Sequence, residues 1–498
     1  MNVNPITRLD YPDPDVIRVE DTYYMVSTTM HFMPGCEILQ SFDLVHWEHV
    51  TYVYETLDHT DAQQLKSGQN IYGQGMWAAS LRYHEGRFYI CFVANDTRKT
   101  YLYTSEKIDG PWKKQLIEGF YHDGSLLFDE DGRNYIVYGN DEIWITELNE
   151  DLTAPKKDGL HRLLVSDHKN PELGYEGSHI QKINGYYYIF LVHSLRDRWM
   201  RTEACFYSDS LEGEFTGGDV LCDDRGYCGQ GVAQGGIVDT PDGKWYAMLF
   251  QDSGAVGRIP ILLPVTWKDH FPFFGQNGHV PEEIEVHSTR PGYIYQPLVG
   301  SDDFRNGLIP RWQFNHDPDP RYYHLDALQG TYTITTREVC TELTQAVNTL
   351  TQRMSYPSCA AEVTVDASAL KEGDVAGLCA LQGCYAAVGI TKHHGKYEVL
   401  MLDKKEDGIL DMTEGTVVES HQMDFRLEAD FCNMKDEARC YYRVNKGDWL
   451  PIGTVHKLYF KLDHFTGCRF GLFCYAAEET GGSACFRDFK YYDVDEIS

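Results

Sequence analysis

Asn184-Gly185-Tyr186-Tyr187-Tyr188-Ile189 reads as a β-hairpin: a Gly-containing tight turn runs into aromatic residues and an apolar strand. The same unit occurs four more times. It is Val19-Glu20-Asp21-Thr22-Tyr23-Tyr24-Met25, then Glu85-Gly86-Arg87-Phe88-Tyr89-Ile90, Asp131-Gly132-Arg133-Asn134-Tyr135-Ile136 and Asp242-Gly243-Lys244-Trp245-Tyr246-Ala247. The anchoring tyrosines 24, 89, 135, 188 and 246 are 65, 46, 53 and 58 residues apart. Each interval accommodates one four-stranded blade with its loops. Five units predict an all-β, five-bladed propeller whose blades pack radially around a central channel.

Counting back from each tyrosine locates the start of its blade. Twelve residues before Tyr89, Tyr135, Tyr188 and Tyr246 stand Trp77, Asp123, Glu176 and Gln234; eleven before Tyr24, where the turn reads one residue shorter, stands Asp13. The first strand of a blade lines the channel, so these five positions predict a ring at one depth. A single Asp at a strand end is ordinarily a turn or cap residue. Three carboxylates at equivalent positions are not explained that way, because carboxylates brought together raise one another's pKa, a cost tolerated chiefly at functional sites.

The chemistry such a ring suits is glycoside hydrolysis. One carboxylic acid protonates the leaving oxygen and one carboxylate activates water or attacks the sugar. A third, beside the acid, raises its pKa, and Trp77 offers a flat face to a sugar ring. The sequence holds no Gly-x-Ser-x-Gly elbow, no phosphate-cradling loop before a helix and no His-Glu-x-x-His zinc motif.

Composition narrows the partners. With 44 Lys+Arg against 75 Asp+Glu, the 498-residue chain carries a net charge of −31, which repels nucleic acid and anionic membranes but not a neutral oligosaccharide. Aromatic residues make up 13%, with 34 Tyr, favouring strands and sugar-stacking surfaces. There is no signal-peptide pattern at Met1–Leu9 and no long apolar run. The 14 cysteines, among them Cys91, Cys205, Cys379 and Cys474 within apolar segments, include no Cys-x-x-Cys and read as reduced thiols. A cytoplasmic protein is expected, and a homo-oligomer is compatible.

The hairpin unit ends near Trp267, and a Pro- and Gly-containing connection follows to about Gly300. The propeller is therefore assigned residues 1–300. From Ser301 to Ser498, strand candidates at Ala360–Val365, Ala386–Ile390, Tyr397–Leu402, Tyr441–Val444 and Leu458–Leu462 predict a β-sandwich.

Three motifs resemble glycoside hydrolase family 43, which comprises β-xylosidases, α-L-arabinofuranosidases and related enzymes. Tyr11-Pro12-Asp13-Pro14-Asp15-Val16 is similar to the family's general-base segment, His122-Asp123-Gly124-Ser125-Leu126 to the pKa-modulating segment, and Tyr175-Glu176-Gly177-Ser178-His179 to the general-acid segment. The resemblance implies Asp13 as base, Asp123 as modulator and Glu176 as acid of an inverting enzyme, with base and acid carboxyls roughly 6.5–9.5 Å apart. It also implies sugar contacts from Arg258 in Gly257-Arg258 and from Phe32 in Thr29–Gly35, and Gln234 joins them as a candidate through its place in the ring. Gln313–Asp319 and Thr349–Arg353 resemble the lectin-like sandwich of xylosidase-type members, which packs on the propeller and narrows the active-site mouth.

Two departures stand out. Ala233 replaces the His that many relatives place beside a central metal, so no metal ligand is assigned; no cofactor is expected, and a structural calcium has no clear ligand set. The usual Trp-Ala-Pro is Trp77-Ala78-Ala79. The expected activity is exo-hydrolysis of terminal xylose or arabinofuranose from short hemicellulose oligosaccharides. A β-xylosidase is favoured, an α-L-arabinofuranosidase or dual enzyme is the alternative, and a carbohydrate-binding propeller is the non-enzyme alternative.

Overall fold

The computed structural model describes residues 2–493 and is built almost wholly of β-strands. Five four-stranded antiparallel sheets follow one another between Asp15 and Phe274. Their innermost strands are Asp15–Val19, Met76–His84, Ser125–Phe128, Glu176–Ile183 and Ala233–Asp239. In each sheet the innermost strand pairs with the strand carrying the anchoring tyrosine. Tyr135, Tyr188 and Tyr246 are buried, and Tyr24 and Tyr89 are half-buried.

Apolar side chains of successive sheets interlock. Val26, Ile38 and Tyr54 of the first blade meet Leu81, Ile90 and Phe92 of the second, and each fully buried side chain of this kind contributes about 1.5–3 kcal/mol. The N-terminal segment latches the ring across blade five. The Asn4 side-chain amide donates to Leu262 O (2.7 Å) and its carbonyl accepts from Leu262 N (3.0 Å). Arg18 of blade one pairs with Asp239 of blade five.

The count of twelve conceals two different local structures. Asp13, Asp123 and Gln234 lie four residues before the strand residue that faces their tyrosine (Ile17, Leu127 and Val238). Trp77 and Glu176 lie five before theirs, Arg82 and Gln181. Blades two and four compensate with a shorter hairpin turn. The innermost strands of blades two, four and five each carry an inserted residue, with register shifts between Met76 and Ala79, Glu176 and His179, and Ala233 and Gly236, which re-aims the side chains at the strand start.

The second unit is a sandwich of a nine-stranded and a seven-stranded sheet. Four of the expected strands lie within Ser358–Asp366, Tyr385–His393, Lys396–Lys404 and Glu437–Val444. Leu458–Leu462 is a correction: the strand there is Leu450–Lys457, and the chain then leaves the sheet. That departure carries Leu462 and Phe465 to the propeller's mouth.

Phe32 is a second correction. It lies with Met33 in a short strand paired to Phe314 and Asn315, so a propeller loop supplies the edge of the nine-stranded sheet. The ring is buried beneath the Arg469 guanidinium, 3.5 Å from its centroid, and does not line the chamber that Leu462 and Phe465 reach. A loop recruited into the interdomain sheet buries its aromatic residue in that layer, whereas the family resemblance implied a sugar contact.

Candidate active site

A chamber of about 250 Å³ occupies one mouth of the propeller. Asp13, Trp77, Asp123, Glu176, Gln234 and Arg258, six of the seven residues singled out in the sequence, line it. Leu462 and Phe465 reach it from the sandwich.

Backbone geometry explains how strand starts can present side chains here. Asp13 (φ 53°), Asp123 (φ 49°), Gly177 (φ 65°) and Gln234 (φ 63°) are all left-handed, and each stands four residues before its tyrosine-facing partner. Such strain is held only where the surroundings over-determine it, and it clusters at functional sites. In blade four the left-handed position is a glycine, and the acidic side chain comes from the residue before it. A Cβ on Gly177 would fall 2.7 Å from Gln234 Cγ, so close packing also requires glycine there.

Each carboxylate has its own surroundings. Asp13 is buried, and both oxygens accept: Oδ1 from Arg258 Nη1 (2.7 Å) and Oδ2 from Thr28 Oγ1 (2.5 Å). Asp123 Oδ2 accepts the Gly177 amide at 2.9 Å. Burial pushes Asp123 up to about 6; the charges of Glu176 and Asp13 add to this, and His122 and the Gly177 amide oppose it. Glu176 Oε2 accepts from Asn140 Nδ2 at 2.8 Å. Burial raises the Glu176 carboxyl, but His122, Arg201 and Arg258 outweigh it and hold the group below the ordinary range.

The opposite wall is a chain of buried ion pairs. Arg258 reaches Asp13 and, at 3.3 Å, Asp252, while Asp252 also binds Arg201. Removing one partner of a buried pair typically costs about 3–5 kcal/mol, because the other charge is left uncompensated. Asp10 ties this wall to the sandwich loop: its carboxylate accepts from the amides of Arg258 and Gly467, both at 2.8 Å. Phe465, two residues before Gly467, lies with its ring 4.0 Å from the Arg258 guanidinium carbon and meets Trp77 edge-on at 5.4 Å.

Below the chamber the channel is plugged. Asp15 lies 3.1 Å from His179 Nδ1 and accepts from Arg82 Nη1 (2.8 Å) and the Leu81 amide (2.7 Å). Arg82 also donates to Ser125 Oγ at 2.7 Å. The opposite mouth holds a larger concavity of about 410 Å³, but its cations Arg18, Arg82 and Lys182 are each matched by a carboxylate.

Among the described residues, His122, Asp123 and Glu176 form a group whose ligand atoms lie within 4.8 Å of one another. Asp123 Oδ2 and Glu176 Oε2 of this group each accept one hydrogen bond, from the Gly177 amide and Asn140. Ala233 contributes no donor.

Sequence reasoning missed His122, Asn140, Trp199 and Arg201 in this chamber. His122 was visible beside Asp123 in its motif. Asn140 ends the second strand of blade three and Arg201 begins the third strand of blade four, places that a search along innermost strands does not reach.

Comparison with known proteins agrees with this architecture. The model for glycosyl hydrolases family 43 matches residues 3–272, and that for the beta xylosidase C-terminal concanavalin A-like domain matches residues 301–492. A beta-xylosidase of Formosa agariphila is 26% identical, covering 99% of this chain and 89% of its own. A xylosidase/arabinosidase of Butyrivibrio fibrisolvens is 23% identical, covering 99% of each chain. A solved structure described as a bifunctional GH43-CE protein of Bacteroides eggerthii is 42% identical with TM-score 0.92 over 99% of this chain, which spans 64% of that protein's length. The chain belongs to glycosyl hydrolases family 43 and is a glycoside hydrolase.

Proposed function

We propose that this glycoside hydrolase is an inverting, exo-acting enzyme that removes one terminal pentose from short hemicellulose oligosaccharides, with β-xylosidase activity favoured. The observation that carries this reading is a single chamber bringing Asp13, Asp123 and Glu176 together, plugged below by Asp15, Arg82 and His179 and narrowed above by Phe465. A chamber of about 250 Å³ suits one sugar ring rather than a polysaccharide chain passing through.

In this reading Asp13 takes a proton from the attacking water and Glu176 delivers one to the leaving oxygen. Asp123, buried and held by the Gly177 amide beside Glu176, biases the acid's proton affinity through its charge. Trp77 and Phe465 supply the apolar faces of the sugar site, and Arg258 orients the base. The C-terminal domain type supports xylose. Arabinofuranose is the second reading, supported by the paired activities in the name of the Butyrivibrio relative. Cytoplasmic action on imported, already shortened substrates is part of the proposal and is supported by the free cysteines, most of them buried.

Aryl β-D-xyloside and aryl α-L-arabinofuranoside hydrolysis tests this directly. We expect kcat/KM for the xyloside to exceed that for the arabinofuranoside by about tenfold or more, the discrimination that one or two hydroxyl contacts supply. Equal or reversed preference supports the second reading. Turnover of neither glycoside would sink both.

A further inference from the structure

His122 has no part in the assignment above, yet it faces the chamber where both carboxylates of the acid end are within reach. Its Nε2 lies 3.5 Å from Asp123 Oδ2 and 3.5 Å from Glu176 Oε2, at the outer limit of hydrogen-bond reach to both. The two carboxylates are fixed independently, Asp123 by the Gly177 amide and Glu176 by Asn140. The imidazole packs edge-on against Trp77 at 5.9 Å. The charges facing it are Asp123, Glu176 and, farther off, Asp13, while Arg201 and Arg258 act on Glu176 from the opposite wall.

Burial disfavours a charged imidazole, but those three carboxylates outweigh it and hold His122 protonated up to about 9. The same cation, with Arg201 and Arg258, keeps Glu176 ionised. An acid that is ionised at rest has no proton to give. The nearest proton is on His122.

We propose that His122 is the positioning residue that stores the acid's proton, passing it from Nε2 to Glu176 Oε2 when a sugar fills the chamber. This rests on Glu176 being the acid. The 3.5 Å gap closes to an ordinary hydrogen-bond length with a shift of about 0.5 Å, and catalytic hydrogen bonds commonly tighten on substrate binding. In the transfer the Nε2–H bond breaks and an Oε2–H bond forms. Imidazolium and carboxylate become imidazole and carboxylic acid, and the net charge is unchanged. A sugar that displaces water favours the uncharged pair, because desolvation penalises both charged forms. Glu176 then protonates the glycosidic oxygen, Asp13 takes a proton from the attacking water, and exchange with solvent restores both groups.

The test is the pH dependence of kcat/KM for the full-length wild type, His122→Asn and Glu176→Ala, on a phenyl xyloside and a 2,4-dinitrophenyl xyloside. On the phenyl substrate the wild-type alkaline limb should lie near about 9, where His122 loses its proton. In His122→Asn the limb should move to lower pH, because Glu176 must then hold the proton by itself as a carboxylic acid. The loss near pH 8 should exceed the loss near pH 5 by about tenfold or more, since each pH unit above a limb costs tenfold. On the dinitrophenyl substrate, whose leaving group departs without protonation, the loss should stay below about threefold throughout.

An equal loss at all pH values on both substrates, with the limb unmoved, overturns the proposal. Imidazole NMR of the wild type gives a second test that needs no variant: His122 must be charged near neutral pH, and a neutral ring there also overturns it. Glu176→Ala separates the two levels. If its loss does not depend on the leaving group, the acid assignment fails. If it does, and His122→Asn keeps the wild-type limb, only the role of His122 fails.

Discussion

Asp13→Asn should lower kcat/KM on aryl xylosides by about 10³-fold or more while leaving the fold intact, since removing a general base costs up to about 10⁴-fold. The asparagine carbonyl can still accept from Arg258 Nη1, and the Thr28 hydroxyl can reorient toward the amide. What is lost is the oxygen that takes a proton from water. Asp13→Ala is the poorer variant: it leaves the buried Arg258 guanidinium with Asp252 as its remaining acidic partner, so lost activity would mix with lost stability. Steady-state rates with thermal unfolding as a control check the prediction. An asparagine variant within about tenfold of wild type would remove Asp13 from the base role.

The second large effect is expected at Glu176 and should depend on the leaving group. Glu176→Ala should lose about 10²–10⁴-fold on a phenyl xyloside, whose departing oxygen needs a proton, and far less on the dinitrophenyl analogue. The alanine leaves Asn140 and His122 without their shared carboxylate. Both lie at the chamber surface rather than within a packed core, so the thermal midpoint should move little. Parallel kcat/KM series across leaving groups provide the check. A loss of the same size for every leaving group would assign Glu176 to substrate binding instead.

The propeller was legible because a β-hairpin is a local event: its turn residues, tyrosine and apolar strand are contiguous in each of the five copies. The ring of side chains was legible for a less direct reason. A fixed count of twelve reached Asp123 and Gln234 through a longer hairpin turn, and Trp77 and Glu176 through a shorter turn and one more step along the innermost strand. Two length differences cancel, and a count along the chain cannot see either one.

What escaped the sequence was non-local. Phe32 was expected in the pocket because its loop resembles a pocket wall of the family, but the loop pairs with Phe314 and Asn315 nearly three hundred residues away. Leu458–Leu462 has the apolar content of a strand, yet it leaves the sandwich to bring Phe465 over Trp77 and Arg258. Arg201 and Asn140 share no motif with the carboxylates they serve. Their partnership is created by blade curvature and not by spacing.

If Asp13 directs water onto one face of the sugar while Glu176 protonates the leaving oxygen on the other, the first product carries the inverted anomeric configuration. Time-resolved proton NMR of aryl β-D-xyloside hydrolysis, read before mutarotation, should show α-D-xylose as the first anomer. First appearance of β-D-xylose would mean a covalent intermediate and a nucleophile, and would contradict the account.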